Sequence, residues 1–227
     1  MVNKKFENMS NILVSIIVPV HNQENYIGRC LRSLLNQSLD QKKYEVIIIN
    51  DGSTDKTKYA LDLFKGDIIN VIHINKNKGL PYALNLGIKN SKGKYIVRVD
   101  SDDYVNKDYL LFLSKFLEFN KKIDAIACDY LTVNSKEKTI SIKNCEKEPI
   151  GCGIMFKKIH LEEIGGYDVK MKVWEDKDLI IRFKKKYKVS RLEIPLYRYR
   201  KHETNMTNSS SSTKKYLNKL NKKHNIK

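Results

Sequence analysis

From Val14 to Asp100 the chain alternates short Val- and Ile-rich runs with turn signals and amphipathic stretches. That alternation confines it to a parallel sheet covered by helices, an α/β architecture. The runs Val14–Val20, Glu45–Asn50, Ile68–Ile74 and Tyr95–Val99 have the composition of strands buried on both faces. Between them Asn25–Gln37, Asp55–Phe64 and Tyr82–Asn90 place apolar residues at helical spacing.

Beyond Asp103 the spacing predicts a helix over Lys107–Phe119 and a strand over Asp124–Val133, then a charged hairpin or mobile loop over Asn134–Glu148. Gly151–Phe156 reads as a strand, Glu175–Tyr187 as a helix, and Val189–Ile194 as a strand stopped by Pro195. Residues 1–208 are expected to form one domain, with 1–103 as one half and 104–208 as the other. Residues 209–227 are expected to be a flexible basic tail. The serine run Ser209–Ser212 has linker composition, and Lys214–Lys227 carries six lysines and no acid. Tyr216, Leu217 and Leu220 could share a helical face against a membrane surface, but a solvated or disordered tail is the plainer expectation.

The balance of 43 basic against 26 acidic residues, +17 overall, favours an anionic partner: nucleic acid, diphosphates or an acidic membrane surface. Cys30, Cys128, Cys145 and Cys152 form no CxxC pair, which argues against a zinc knuckle or a disulfide framework and fits a reducing cytoplasm. The apolar run Ile12–Val20 is too short to span a bilayer and lacks a cleavage site, so neither secretion nor membrane integration is expected.

Three acidic clusters could carry chemistry. Asp100-Ser101-Asp102-Asp103 follows an apolar strand, where open α/β sheets bind ligands, and supplies hard oxygen ligands for Mg²⁺ or Mn²⁺. A helix cap would need only one of these carboxylates, and three within four residues repel one another unless a cation sits among them. Asp51-Gly52-Ser53-Thr54-Asp55 follows the Glu45–Asn50 strand; it could bond a base or ribose, or be an ordinary capped turn. Trp174-Glu175-Asp176 opens a helix, where acids suit the dipole but could also take a proton from an acceptor hydroxyl. Trp174 could stack on a sugar or pack in the core. Arg198, Arg200, Lys201 and His202, with Asn205 and Thr207 behind, could stabilise a leaving diphosphate, and His202 could ligate a metal.

Taken in order, these segments resemble the family 2 glycosyltransferases of the GT-A fold, from about Val14 to Thr207. The resemblance implies a nucleotide-sugar pocket lined by Pro19, Val20, His21, Asn22 and Glu24 after the first strand. To it would be added Asp51, Gly52 and Ser53, with Asp51 recognising the base. Asn77-Lys78-Gly79 and Asn85 resemble the segment that closes over the nucleotide. Many members carry an arginine or lysine where this chain has Pro81 or Leu84, and Lys78 is expected to stand in. Tyr95–Asp103 looks like the DxD motif, implying Asp102 at Mn²⁺ or Mg²⁺ and Asp100, with Ser101, at the ribose or the metal's waters. Tyr199-Arg200-Lys201-His202 is similar to the closing segment, implying Arg200 at the diphosphate, with His202 carried as a second metal ligand. Gly165-Gly166-Tyr167-Asp168 and Glu175-Asp176 resemble the acceptor-side motifs, implying Asp176 as base and Trp174, Glu175 and Gly153 around the acceptor.

The activity so implied is transfer, with inversion, of a sugar from a nucleotide diphosphate, UDP by family habit, to a glycan or lipid-linked saccharide in polysaccharide or glycoconjugate biosynthesis. It would take place in the cytoplasm, with peripheral association at the inner face of an anionic membrane compatible with the charge. A sugar nucleotidyltransferase needs a glycine-rich loop where this chain has Pro19–Gln23. A nucleic-acid-binding protein would need a recognisable module and a basic face free of the acidic clusters, so no nucleic acid is expected.

Overall fold

The computed structural model describes residues 12–64, 66–202 and 210–225. Strands β1 (Val14–Val20), β2 (Tyr44–Asp51), β3 (Ile69–Ile74) and β4 (Tyr95–Arg98) alternate with helices α1 (Ile27–Leu35), α2 (Thr57–Asp62) and α3 (Leu80–Asn90). There follow β5 (Tyr104–Val105), α4 (Tyr109–Phe119), β6 (Ala125–Val133), β7 (Thr139–Lys143) and β8 (Ile154–Lys157). The chain continues through α5 (Lys158–Glu163), α6 (Glu175–Lys184), β9 (Val189–Arg200) and α7 (Ser210–His224).

The sheet runs in the order β3-β2-β1-β4-β8-β6-β9-β5, with β7 added to β6. Its first four strands are parallel, as the alternation requires. Strand β8 then pairs antiparallel with both β4 and β6, and β9 lies parallel to β6. Because β1 is followed by β2 on one side and flanked by β4 on the other, the chain reverses its winding there. That reversal opens a crevice at the carboxyl ends of β1 and β4.

Burial follows position. Every residue of β1 is buried, and in β2 only Glu45 is not; its carboxylate accepts bonds from Ser15 Oγ at 2.6 Å and Lys92 N at 2.7 Å. Strand β3 departs from the expectation of two buried faces, because it is the sheet edge and its residues are intermediate or exposed. Helix α1 buries Ile27, Cys30, Leu31 and Leu34 at helical spacing, each large aliphatic contributing about 1.5–3 kcal/mol. All four cysteines are buried and free.

Three further features depart from the sequence expectations. Strand β9 continues through Pro195 instead of stopping: β6 shifts register against it at Asp129, and the neighbouring β5 pairs only from Tyr197 onward. A proline is tolerated in such a bulge because no regular ladder bond is lost. Helix α5 was not expected at all. The tail is helical from Ser210, where a flexible run was expected. Leu220 is buried, and Lys223 Nζ meets Asp168 at 2.8 Å and Asp178 at 2.6 Å, so α7 packs on the protein through these residues while Leu217 stays exposed. Ser209, Asn205 and Thr207 lie outside the described residues. Among the described residues no helix is long and apolar enough to cross a membrane.

Candidate active site

The loops after β1 and β2 form one wall of the crevice and are bonded to each other. His21 Nδ1 lies 2.8 Å from the Asp51 carbonyl oxygen. Asn22, at φ 53°, donates its N–H to Ser53 Oγ at 3.0 Å and accepts from Thr54 N at 2.8 Å. Gly52 has φ 66°, and a Cβ there would stand 2.4 Å from Asn77 N, so only glycine fits. The buried Asp51 carboxylate accepts Lys78 N and Gly79 N, both at 2.8 Å. It therefore fixes the Asn77–Gly79 turn against the first wall; a base would have to share a carboxylate already bonded at both oxygens.

The opposite wall is the turn after β4. Arg98, buried in that strand, holds Asp100 with Nε at 2.5 Å and Nη2 at 3.0 Å, and Glu175 with Nη1 at 2.9 Å. Asp102 Oδ2 lies 2.8 Å from His202 Nε2, and the His202 ring stacks on Tyr26 with centroids 4.8 Å apart. Burial and the Asp100 charge raise the Asp102 carboxyl above its ordinary value, although His202 opposes them. A bound cation would remove that penalty. Asp102 Oδ2 and His202 Nε2, here bonded to each other, are a carboxylate oxygen and an imidazole nitrogen, donor types that suit Mn²⁺ or Mg²⁺, with the nitrogen favouring Mn²⁺.

Asp100, Asp103 and Cys152 also cluster closely enough to hold a metal. We favour the Asp102–His202 pair on chemistry. Asp103 already accepts Arg200 N at 2.7 Å and Tyr197 Oη at 2.8 Å, and burial pushes the Cys152 thiol up, away from the thiolate a metal would need. Asp103 is a structural clasp joining the turn to β9. Arg200 completes it from the same strand, donating Nε to the Asp102 carbonyl at 2.9 Å and Nη2 to Glu137 at 3.2 Å.

On the third side, Trp174 at φ 64° starts α6. The ammonium of Lys177 lies 3.7 Å from the centre of the Trp174 ring, so one ring face is occupied by a cation. Asp176 is partly exposed and packs on Gly151, where a Cβ would come within 2.6 Å of Asp176 Cβ and 3.0 Å of Arg98 Nη1. Gly153, at φ 76°, lies against Tyr197.

Several expected contacts are placed otherwise. Glu175 is not available to an acceptor: it is 5% exposed and bound to Arg98, and burial pushes its carboxyl up to about 7 while Arg98 pulls it down. Asn85 is spent on the backbone, donating to the Tyr167 carbonyl and accepting Tyr167 N–H, each at 2.8 Å. Glu24 accepts Lys56 N at 2.6 Å and so ties the first loop to the start of α2. Pro19, Val20 and Ser101, expected at the donor, are buried as whole residues. Asn77 and Lys78 are exposed, and Lys78 Nζ reaches Tyr82 Oη at 3.3 Å. Sequence reasoning missed Arg98, Tyr197 and Tyr26. For Arg98 a signal existed, a lone charge inside the run Tyr95–Val99; for the tyrosines there was none.

This parallel half-sheet, its crevice and the acidic turn after β4 define a GT-A nucleotide-sugar transferase fold. The chain belongs to glycosyl transferase family 2, whose model matches residues 15–167. It is 41% identical over 111 residues to a poly(ribitol-phosphate) beta-glucosyltransferase of Bacillus spizizenii, covering 48% of this chain and 18% of that relative. The chain thus spans under a fifth of that relative's length. S. aureus TarS 1-349 in complex with UDP-GlcNAc shares its fold with TM-score 0.78 and 22% identity, over 92% of this chain and 65% of that one. The Pyrobaculum calidifontis mannosyltransferase PcManGT in complex with GDP-Man and Mn²⁺ gives TM-score 0.75 and 18% identity, over 94% and 64%.

Proposed function

We propose that the chain is an inverting, metal-dependent glycosyltransferase that moves a sugar from a UDP-sugar onto a hydroxyl of a glycan or lipid-linked saccharide in polysaccharide assembly. The observation that carries this reading is the pairing of Asp102 Oδ2, in the turn after β4, with His202 Nε2, just after β9, at 2.8 Å; Asp176, partly exposed, stands in the first turn of α6. The UDP-GlcNAc bound by TarS supports a uridine donor, the Mn²⁺ bound by PcManGT supports the ion, and the B. spizizenii relative's name supports a polymer of the poly(ribitol-phosphate) kind as acceptor.

Asp102 and His202 would hold the ion, which when bound supplies positive charge to the donor diphosphate. Asp176 takes the acceptor hydroxyl proton as the acceptor oxygen bonds to the anomeric carbon. The bond from that carbon to the β-phosphate oxygen breaks on the opposite face, and the diphosphate leaves with the electron pair. Arg200, buried and bonded to the Asp102 carbonyl and Glu137, would act by holding this turn in place, with His202 beside it. The work is expected in the cytoplasm, at the inner face of the membrane if the acceptor is lipid-linked.

Thermal-shift titration with UDP-, GDP-, CDP- and TDP-sugars, with and without Mn²⁺, tests this directly. A rise confined to UDP-sugars and dependent on Mn²⁺, and lost in Asp102→Ala, is the expected result. Absence of any rise at saturating concentrations of all four classes would sink the reading.

A further inference from the structure

Arg98 lies inside the sheet, 8% exposed, in a strand otherwise made of apolar residues. An isolated guanidinium there would carry a large desolvation penalty, so it is retained only with partners. Its partners come from two different elements, the turn after β4 and the start of α6. Nε and Nη2 grip both oxygens of Asp100, and Nη1 grips Glu175, the residue directly before Asp176. Gly151 packs beside Nη1 and Asp176 together, so the three sit in one tight cluster.

We propose that Arg98 is a positioning residue that ties the donor-side turn to the helix carrying the base, through Asp100 on one side and Glu175 on the other. This rests on the transferase reading above. Five fixed N–H directions let arginine satisfy both carboxylates at once, which a lysine ammonium cannot reproduce as a fork. The consequence is that the placement of Asp176 depends on the same side chain that orients Asp100. A displacement of about 1 Å at a catalytic group can lower turnover by about a hundredfold.

The test compares wild type with Glu175→Gln, Arg98→Lys and Arg191→Lys, reading Mn²⁺-dependent UDP binding by calorimetry, steady-state transfer and melting temperature. Arg191 is the control, because it makes a similar bidentate pair with Asp129, at 2.9 and 2.5 Å, outside the crevice. Glu175→Gln should bind UDP within about twofold of wild type while kcat falls about tenfold or more. Arg98→Lys should lose in both, with UDP affinity down about tenfold. Arg191→Lys should lower the melting temperature and leave kcat and KM unchanged. If Glu175→Gln and Arg98→Lys behave like the control, losing only melting temperature, the coupling is wrong and the transferase reading stands. If wild type itself neither binds UDP with Mn²⁺ nor transfers, the reading fails and this inference with it.

Discussion

Glu175 and Asp176 are adjacent acids that the fold places in different surroundings. Glu175 is buried and meets Arg98, while Asp176 stays partly exposed beside Gly151. Asp176→Asn keeps the shape and removes the proposed base, so kcat should fall by about 10²–10⁴ while Mn²⁺-dependent UDP binding is kept. Near-normal turnover in single-turnover assays would rule Asp176 out. Gly151→Ala is a second check at the same point: its methyl group would displace Asp176 or Arg98, lowering kcat more than donor affinity. The acidic motif holding these residues was readable in the sequence because it opens a helix, where paired acids stand out. Which of two adjacent carboxylates is buried was not readable, since it depends on a partner 77 residues away.

At the scale of elements, the four parallel strands and their helices were legible because their patterns are local: unbroken apolar runs and helical spacing. The far half was less so. Strand β9 passes a proline only because β9 itself bulges there, its Leu192 and Pro195 standing opposite the consecutive Cys128 and Asp129 of β6, and α7 is fixed by contacts with α6 that no local pattern encodes. Asp178, fully buried on α6, accepts from Arg182 Nε, Lys223 Nζ and His224 Nε2 at 2.6–2.8 Å. Burial raises its carboxyl, but these hydrogen bonds outweigh that and hold it below the ordinary 3.8. A depressed folded value means the clasp contributes fully above the unfolded pKa and is lost as pH falls below about 3.8 through the folded value. Lys223→Met should therefore lower the melting temperature at pH 7, and the gap from wild type should narrow as the medium is acidified into that range. Leu220→Ala should cost about 2–4 kcal/mol at any pH, because it removes buried apolar contact and no charge. Equal melting curves for wild type and Lys223→Met at neutral pH would mean that α7 does not stabilise α6.

The whole molecule carries +17, although the turns after β2 and β4 carry Asp51, Asp100, Asp102 and Asp103. Part of the basic stripe in α7 is already used inward, Lys219 on the Lys170 carbonyl and Lys223 on two aspartates, while Lys222 remains exposed. Attraction to an anionic membrane should then be a property of charge spread over the surface and not of an inserted helix. The protein is expected to sediment with phosphatidylglycerol vesicles at low salt and to be released as the Debye length shrinks from about 10 Å at 0.1 M towards about 3 Å at 1 M. Phosphatidylcholine vesicles should not retain it, and Lys222→Gln alone should change little, because each basic residue near the surface contributes only about 1 kcal/mol. Salt-resistant binding, or equal binding to neutral vesicles, would instead indicate apolar insertion and refute the electrostatic account.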